Sequence, residues 1–284
     1  AMQAPISMPK ALSMSPLAVV GALLLLLALP AETSDAALPL DDECAVAGCG
    51  LNALQAKGKK KLAAKAKAPS WPKIANAGTS ITSGFLASPG KSYPAQLQAL
   101  LGPGFLVENN GRTGAALIST ATSCEPDRPG SRCFFNFPEY GAVLDFKPDI
   151  VVLNFGTNDC KNCNWDEPAF LSGYSRLIKV LSLLPSHPVI YLMTPPPLYK
   201  DGTYGGINQT LVNTVLPQLI PMIAEDHGLP PPIDIFGLFQ TRCPDLNLQH
   251  CDWIALDDGT HPNDAGHGAI ARAVGDRILT DAKQ

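Results

Sequence analysis

The chain has 284 residues, 46% hydrophobic and 16% charged, too long and too apolar for a disordered protein and long enough to bury one substantial core. Its 21 basic and 25 acidic side chains leave a net charge of −4, and from residue 71 onward 14 basic and 20 acidic residues leave −6, which argues against nucleic acid as the natural partner. The glycines and prolines follow no Gly-x-y period and no heptad runs through the chain, so collagen and coiled coil are excluded.

At the N-terminus, Lys10 precedes an apolar run over residues 17–29, LAVVGALLLLLAL. As a helix this run spans roughly 20 Å, short of a bilayer core of roughly 30 Å. A basic residue, a short apolar stretch and then small residues around Ala36 have the form of a secretory signal, so residues 1–36 read as a signal peptide and the protein as secreted. An uncleaved anchor is the competing reading. Residues 37–70 are a Lys/Ala-rich linker or pro-segment with six lysines between residues 57 and 67. The plainer view is a solvated linker; the functional one is a basic arm drawn to anionic membranes or polysaccharides. Membrane contact is expected only through these two segments. Composition changes at Trp71-Pro72, where the folded domain, residues 71–284, is expected to begin.

From there, strands and helices alternate. Residues 72–77 read as an apolar strand running into GTSITSG, and Tyr93–Leu101 has helical spacing, stopped by Gly102-Pro103-Gly104. A second strand is expected over 105–108, ending at Asn109-Asn110-Gly111. Residues 149–155, DIVVLNF, are a near-continuous β-rich run, as expected of a parallel strand covered on both faces. A helix follows over 168–184, a strand over 189–193, a helix over 211–224, a brief strand over 233–235 and a final helix over 265–279. The alternation predicts an α/β fold with a parallel, doubly wound sheet wrapped on both faces.

The eight cysteines, Cys44, Cys49, Cys124, Cys133, Cys160, Cys163, Cys243 and Cys251, fall into four sequence-local pairs, which suits an oxidising compartment. Bridges between those neighbours are the working expectation, although spacing leaves connectivity open. Cys160-x-x-Cys163 lacks a second CxxC at finger spacing, and His261, His267 and Cys251 lack a helical HExxH arrangement, so no metal is expected.

In such a sheet, ligands gather beyond the carboxyl ends of the strands. Four polar clusters fall there: Gly78-Thr79-Ser80, residues 109–114, Gly156-Thr157-Asn158-Asp159, and Asp258-Gly259-Thr260-His261-Pro262. Ser80 stands where a strand meets a helix start, so it reads as an N-cap or as a nucleophile favoured by nearby N–H groups. His261 is the base best suited to take its proton near neutral pH, and Asp258 can hold the imidazole tautomer from the same loop. Acyl transfer also needs oxyanion donors, each worth about 2.7–4 kcal/mol of transition-state stabilisation. The N–H groups of Ser80 and Gly111 and the Asn158 amide are available, although Gly111 reads equally as a turn glycine and Asn158 as an Asx turn. Asp159 reads as an anchor for its own loop, and His267 as structural. His187, His227 and His250 carry no partner pattern and read as surface residues. Arg112 is a candidate contact for an anionic substrate such as a sialic acid carboxylate, with a surface salt bridge as the plainer alternative.

As a set and in order, IANAGTSITSG, VENNGRTGA, PDIVVLNFGTNDC and DGTHPNDAGH resemble the four signature blocks of the SGNH (GDSL-type) hydrolases. The resemblance covers roughly residues 71–273. It implies a three-layer αβα, flavodoxin-like fold and ester hydrolysis without a cofactor. It further implies Ser80 as nucleophile, Asp258 and His261 as the rest of a triad, and Ser80, Gly111 and Asn158 as the oxyanion hole. Within the family, GTND-x-x-x-x-NW, YLMTPPPLY and DGTHPN look most like secreted carbohydrate O-acetylesterases, the sialate type included. One departure is Thr79, where the family usually has an Asp that braces the nucleophile loop; a Thr hydroxyl donates and accepts but carries no charge.

The sequence thus leads to a secreted, monomeric serine esterase acting on small acyl esters of carbohydrate. A lipid esterase of the same fold and a non-catalytic carbohydrate-binding relative weakened at Thr79 are the competing readings.

Overall fold

The computed structural model describes residues 72–246 and 251–283. The signal and linker segments, Cys44, Cys49 and His250 lie outside the described residues. Four parallel strands form the sheet: β1 (Lys73–Gly78), β2 (Leu106–Gly111), β3 (Ile150–Asn154) and β4 (Val189–Leu192), in the order β2-β1-β3-β4. Side chains alternate between faces along each strand. Ala75, Ala77, Val151, Leu153, Ile190 and Leu192 enter one core. Ile74, Val152, Tyr191 and Met193 enter the other. The inner strands are buried on both faces, which is why DIVVLNF is apolar throughout rather than alternating.

Helices cover both faces and complete three layers. On the first face lie α3 (Pro138–Phe146) and α4 (Glu167–Ser182), with α6 (Leu216–Asp226) beside them. Helix α4 buries Phe170, Tyr174, Leu177, Ile178 and Leu181, a stripe at helical spacing, and Asp166 caps it by accepting from the Ala169 N–H at 2.8 Å. On the other face lie α2 (Tyr93–Leu101), α7 (Ile235–Arg242) and α8 (Asp264–Asp281). Two short segments remain: α1 (Ser80–Ser83), a single turn, and α5 (Thr203–Gly206), a tight turn with Tyr204 in the left-handed region.

Two expectations differ from the structure. Of the strand expected at 233–235, only Ile233 pairs, in a parallel bridge to Met193. Asp234 then caps α7 by accepting from the Gly237 N–H at 2.9 Å, so Ile235 opens a helix instead. The helix expected over 211–224 begins as a widened turn, Leu211–Val215, immediately before Pro217, and continues as α6. A proline without an amide hydrogen cannot close the ordinary bond at that point.

The register decides what meets at the sheet's edge. Gly78 pairs with Gly111 on one side and with Asn154 on the other. Strands β1, β2 and β3 therefore end level, and Thr79-Ser80, Arg112 to Gly114 and Phe155 to Asp159 leave the sheet side by side. The order reverses between β1 and β3, the switch point where ligands bind in open α/β sheets. Gly156 makes the turn after β3 at φ +120°, and a Cβ there would meet Leu216 Cδ1 at 2.7 Å.

The cysteine pairing by neighbours is corrected in part. Cys243 and Cys251 are bridged as expected, but Cys124 bridges Cys163, and Cys133 and Cys160 are free and buried. Cys160 points into the core while Cys163, three residues on, is exposed, so the two sulfurs leave the loop on different sides. Asn164 meanwhile grips Thr122 through both its N–H and its C=O, at 2.9 Å each, which draws Cys124 to Cys163 across 39 residues.

Two buried titratable groups tie neighbouring segments together. Asp159 Oδ1 accepts from the N–H groups of Leu117 and Ile118, at 2.7 and 2.9 Å, as its anchoring role requires. Burial pushes its carboxyl up to about 6 despite those bonds. His267 on α8 accepts from the Tyr93 N–H of α2 at 3.2 Å, and burial, with the nearby His261, pushes it down to about 4.

Non-reducing peptide mapping is expected to recover Cys124 linked to Cys163, with Cys133 and Cys160 labelling as thiols only after denaturation; a peptide joining Cys160 to Cys163 would refute this arrangement. The two buried groups act oppositely on stability. His267, depressed from 6.5, contributes above pH 6.5 and loses that contribution as pH falls through about 4. Asp159, raised from 3.8, contributes below pH 3.8 and loses it as pH rises through about 6. Each contribution is about 3 kcal/mol at full extent. Urea melts of the wild type should therefore be nearly level between pH 6.5 and 4, whereas Asp159→Asn should lose stability across that window. Equal pH slopes in the two proteins would contradict the opposition.

Candidate active site

Ser80 is the first residue of α1, directly beyond β1. Thr79 precedes it in extended conformation (φ −95°, ψ −158°) and caps the turn, its Oγ1 accepting from the Ile81 N–H at 3.4 Å. Ser80 is thereby held with its N–H at an unbonded helix start and its hydroxyl turned to the chain's C-terminal segment. There, Ser80 Oγ lies 2.8 Å from His261 Nε2, across 181 residues of sequence, and His261 Nδ1 lies 3.0 Å from Asp258 Oδ2. The partners assign the tautomer: Nδ1–H donates to the carboxylate, which leaves Nε2 to accept the serine proton.

Both oxygens of Asp258 are engaged. Oδ2 also accepts from the N–H groups of Thr260, at 2.9 Å, and His261. Oδ1 accepts from the Tyr204 hydroxyl. Burial pushes this carboxyl up, yet the hydrogen bonds from His261 and Tyr204 and the histidine's charge together hold it down, at about 2. It is an ionised orienter rather than a proton acceptor. The His261 ring is gripped between two aromatic edges, Phe85 at 4.8 Å and Tyr204 at 4.9 Å between centroids.

These groups border a cavity of about 150 Å³ lined by Ser80, His261, Asn158, Gly114, Phe85 and Tyr204, among others. Asn158 gives one amide hydrogen to the Ala115 C=O at 3.1 Å and, with two on the same nitrogen, keeps a second for the cavity. Gly111, expected as an oxyanion donor, ends β2. Its N–H donates to Asn109 Oδ1 at 3.0 Å, and it packs so closely on α1 that a Cβ would come within 2.1 Å of the Ser83 nitrogen. It spaces β2 from α1 and lies off the lining. Gly114, at φ +81°, is the glycine of this segment that lines the cavity. Arg112 is also off the lining: it pairs with Glu139 at 3.4 Å and lies over the Phe137 ring, the plainer of its two readings.

Cys251 is committed to its disulfide, so the zinc set imagined with His261 and His267 has no thiolate. His187 and His227 are exposed, the latter in contact with Ser175 Oγ at 2.9 Å. Sequence reasoning missed Gly114, Phe85 and Tyr204. The second glycine of Asn-Gly-Arg-Thr-Gly was a signal for the first. Nothing local marks the other two, because their contact with His261 is made entirely by tertiary structure.

A family model described as GDSL-like Lipase/Acylhydrolase matches residues 77–269. An acetylxylan esterase from Xylanibacter ruminicola is 30% identical over 222 residues, 71% of this chain and 42% of that protein, so the chain spans less than half the length of this relative. Among solved structures, a lipase/acylhydrolase from Enterococcus faecalis has a TM-score of 0.56 at 23% identity, covering 73% of this chain and 95% of that one. A carbohydrate acetylesterase from Sinorhizobium meliloti has a TM-score of 0.57 at 16% identity, covering 74% of this chain and 99% of that one. These two share the fold. The family match runs from the end of β1 into α8 and so takes in all four polar clusters at the sheet's edge; the chain belongs to the GDSL-like lipase/acylhydrolase family.

Proposed function

We propose that the chain is a serine esterase that removes small acyl groups, acetyl above all, from carbohydrate. The relay of Ser80, His261 and Asp258 at the cavity carries this reading. Ser80 Oγ attacks the ester carbonyl carbon while His261 Nε2 takes its proton and Asp258 stabilises the imidazolium. The tetrahedral oxyanion accepts hydrogen bonds from the Ser80 N–H, the Asn158 amide and a glycine N–H of the 111–114 segment, where Gly114 lines the cavity. Collapse breaks the ester C–O bond, and the leaving sugar oxygen takes the proton from His261. Water then attacks the acyl-serine carbonyl by the same route and releases the carboxylic acid. No metal or other cofactor enters the scheme.

The small cavity supports an acetyl group over a long acyl chain, and the acetylxylan esterase relative supports carbohydrate as the alcohol. The same reading keeps residues 1–36 as a signal peptide, 37–70 as a linker or pro-segment and 71–284 as the esterase domain of a secreted monomer. Two disulfides among the described residues accord with an oxidising compartment. No helix among them is long and apolar enough to cross a membrane.

Tyr204 is a positioning residue in this mechanism, because it touches Asp258 and His261 rather than the ester. Without its hydroxyl, Asp258 loses a donor and presents more negative charge to His261.

Acetate release from p-nitrophenyl acetate and acetylated xylo-oligosaccharide should fall by a factor on the order of 10⁴–10⁶ in Ser80→Ala. Turnover that survives the substitution, or that rises with acyl chain length, would overturn the serine or the acetyl assignment respectively. Tyr204→Phe should lower kcat by roughly 10-fold with KM little changed and move the acid limb of the pH–rate profile to higher pH. A merely structural role would lower activity without moving that limb.

A further inference from the structure

The folded part of the chain is acidic, yet its cavity is not. The lining includes Arg128, Arg132 and Lys161 against a single carboxylate, Glu125. Glu125 is 3.7 Å from Arg128, and among the described residues neither Arg132 nor Lys161 is in a salt bridge. Lys161 is 4% exposed, its ammonium donating to the Ser123 C=O at 2.8 Å and lying 3.4 Å from where a Cβ on Gly205 would stand, beside Tyr204. The Arg132 guanidinium lies 3.8 Å from the corresponding position on Gly114, beside the proposed oxyanion donors. Cations thus share the cavity's lining with Ser80 and His261. In the same lining, Thr157 Oγ1 is buried without a hydrogen-bond partner. A buried hydroxyl without a partner and cations in excess of the one carboxylate on the same cavity are satisfied together by an anionic, hydroxyl-rich ligand.

We propose that the cavity is a subsite for an anionic sugar unit, a carboxylate or sulfate ester-bearing residue of the acylated glycan, held by Arg132 and Lys161 with Arg128 at the rim. The inference rests on the esterase reading of the same site and narrows its substrate from carbohydrate to acidic carbohydrate. Arg112, considered from sequence for such a role, is replaced by residues on the cavity itself. Burial pushes the Lys161 ammonium below its ordinary value, and the charge of Glu125 offsets this only in part.

The test measures binding apart from turnover. The full chain carrying Ser80→Ala is titrated calorimetrically with a methyl 3-O-acetyl-glucuronoside, the matching neutral glucoside and its 6-sulfate. One or both anions should bind at least about 10-fold more tightly than the neutral sugar, and added salt should shrink the gap. The arm that gains most separates carboxylate from sulfate. Adding Arg132→Gln should reduce the preference, and Arg128→Gln, at an exposed position, serves where the first variant fails to fold. Equal affinities, preference for the neutral sugar, or binding of none would overturn the subsite. Turnover of p-nitrophenyl acetate by the wild type judges the esterase reading separately: activity without anion preference removes the subsite alone, and anion preference without activity removes the esterase alone.

Discussion

The candidate site depends on the pairing of Gly78 with Gly111 on one side and Asn154 on the other. That row ends three parallel strands level, so the segments carrying Ser80, Gly114 and Asn158 leave the sheet on one edge. A slip of one residue would shift Ser80 by about 3.3 Å and turn each side chain of β1 to the opposite face. The two cores forbid it. Ile74 is buried in the layer of α2 and α8, while Ala75 and Ala77 are buried in the layer of α3 and α4, and a slip would exchange them.

The other half of the site comes from a loop that has no sheet to hold it. Its order comes from hydrogen bonds to the 199–204 segment: Tyr199 N–H to Gly259 C=O at 2.7 Å, Thr203 Oγ1 to Thr260 Oγ1 at 2.9 Å, and the Tyr204 hydroxyl to Asp258. Both segments contain a non-glycine residue in the left-handed region, Tyr204 and Asp257. Such residues cost of order 1–3 kcal/mol each and persist where surrounding contacts over-determine them. Here they hold a charged carboxylate beside an imidazole. The local strain of the loop and the ionised state of Asp258 are therefore two aspects of one arrangement.

The parts legible in the sequence are those governed by short-range pattern. DIVVLNF and the stripe of α4 announce a doubly covered strand and its helix, and the strand-end clusters mark Ser80, Asn158 and His261, which line one cavity, and Asp258, which is hydrogen-bonded to His261. Gly111 and Gly114 are alike in sequence, and only packing separates the glycine against Ser83 from the one on the cavity. Cys160 and Cys163 misled because spacing does not reveal which sulfur points into the core. Ile233-Asp234-Ile235 has the pattern of a strand, and the capping bond of Asp234 outweighs it. The places of Tyr204, Arg132 and Lys161 on the cavity were beyond reach because tertiary structure alone sets them.

Thr79 shows how the same geometry is kept without a charge. It is fully buried and makes the one bond the turn requires, from the Ile81 N–H to its own Oγ1. A carboxylate there would face the burial that already raises Asp159 to about 6, although Asp159 accepts two close backbone N–H bonds. A second buried acid close to Ser80 would also oppose the negative charge that develops on the substrate oxygen during acyl transfer. The hydroxyl keeps the cap and avoids that opposition. Within this fold, Thr79 is thus compatible with a nucleophile at Ser80, and its presence alone does not mark a decayed site.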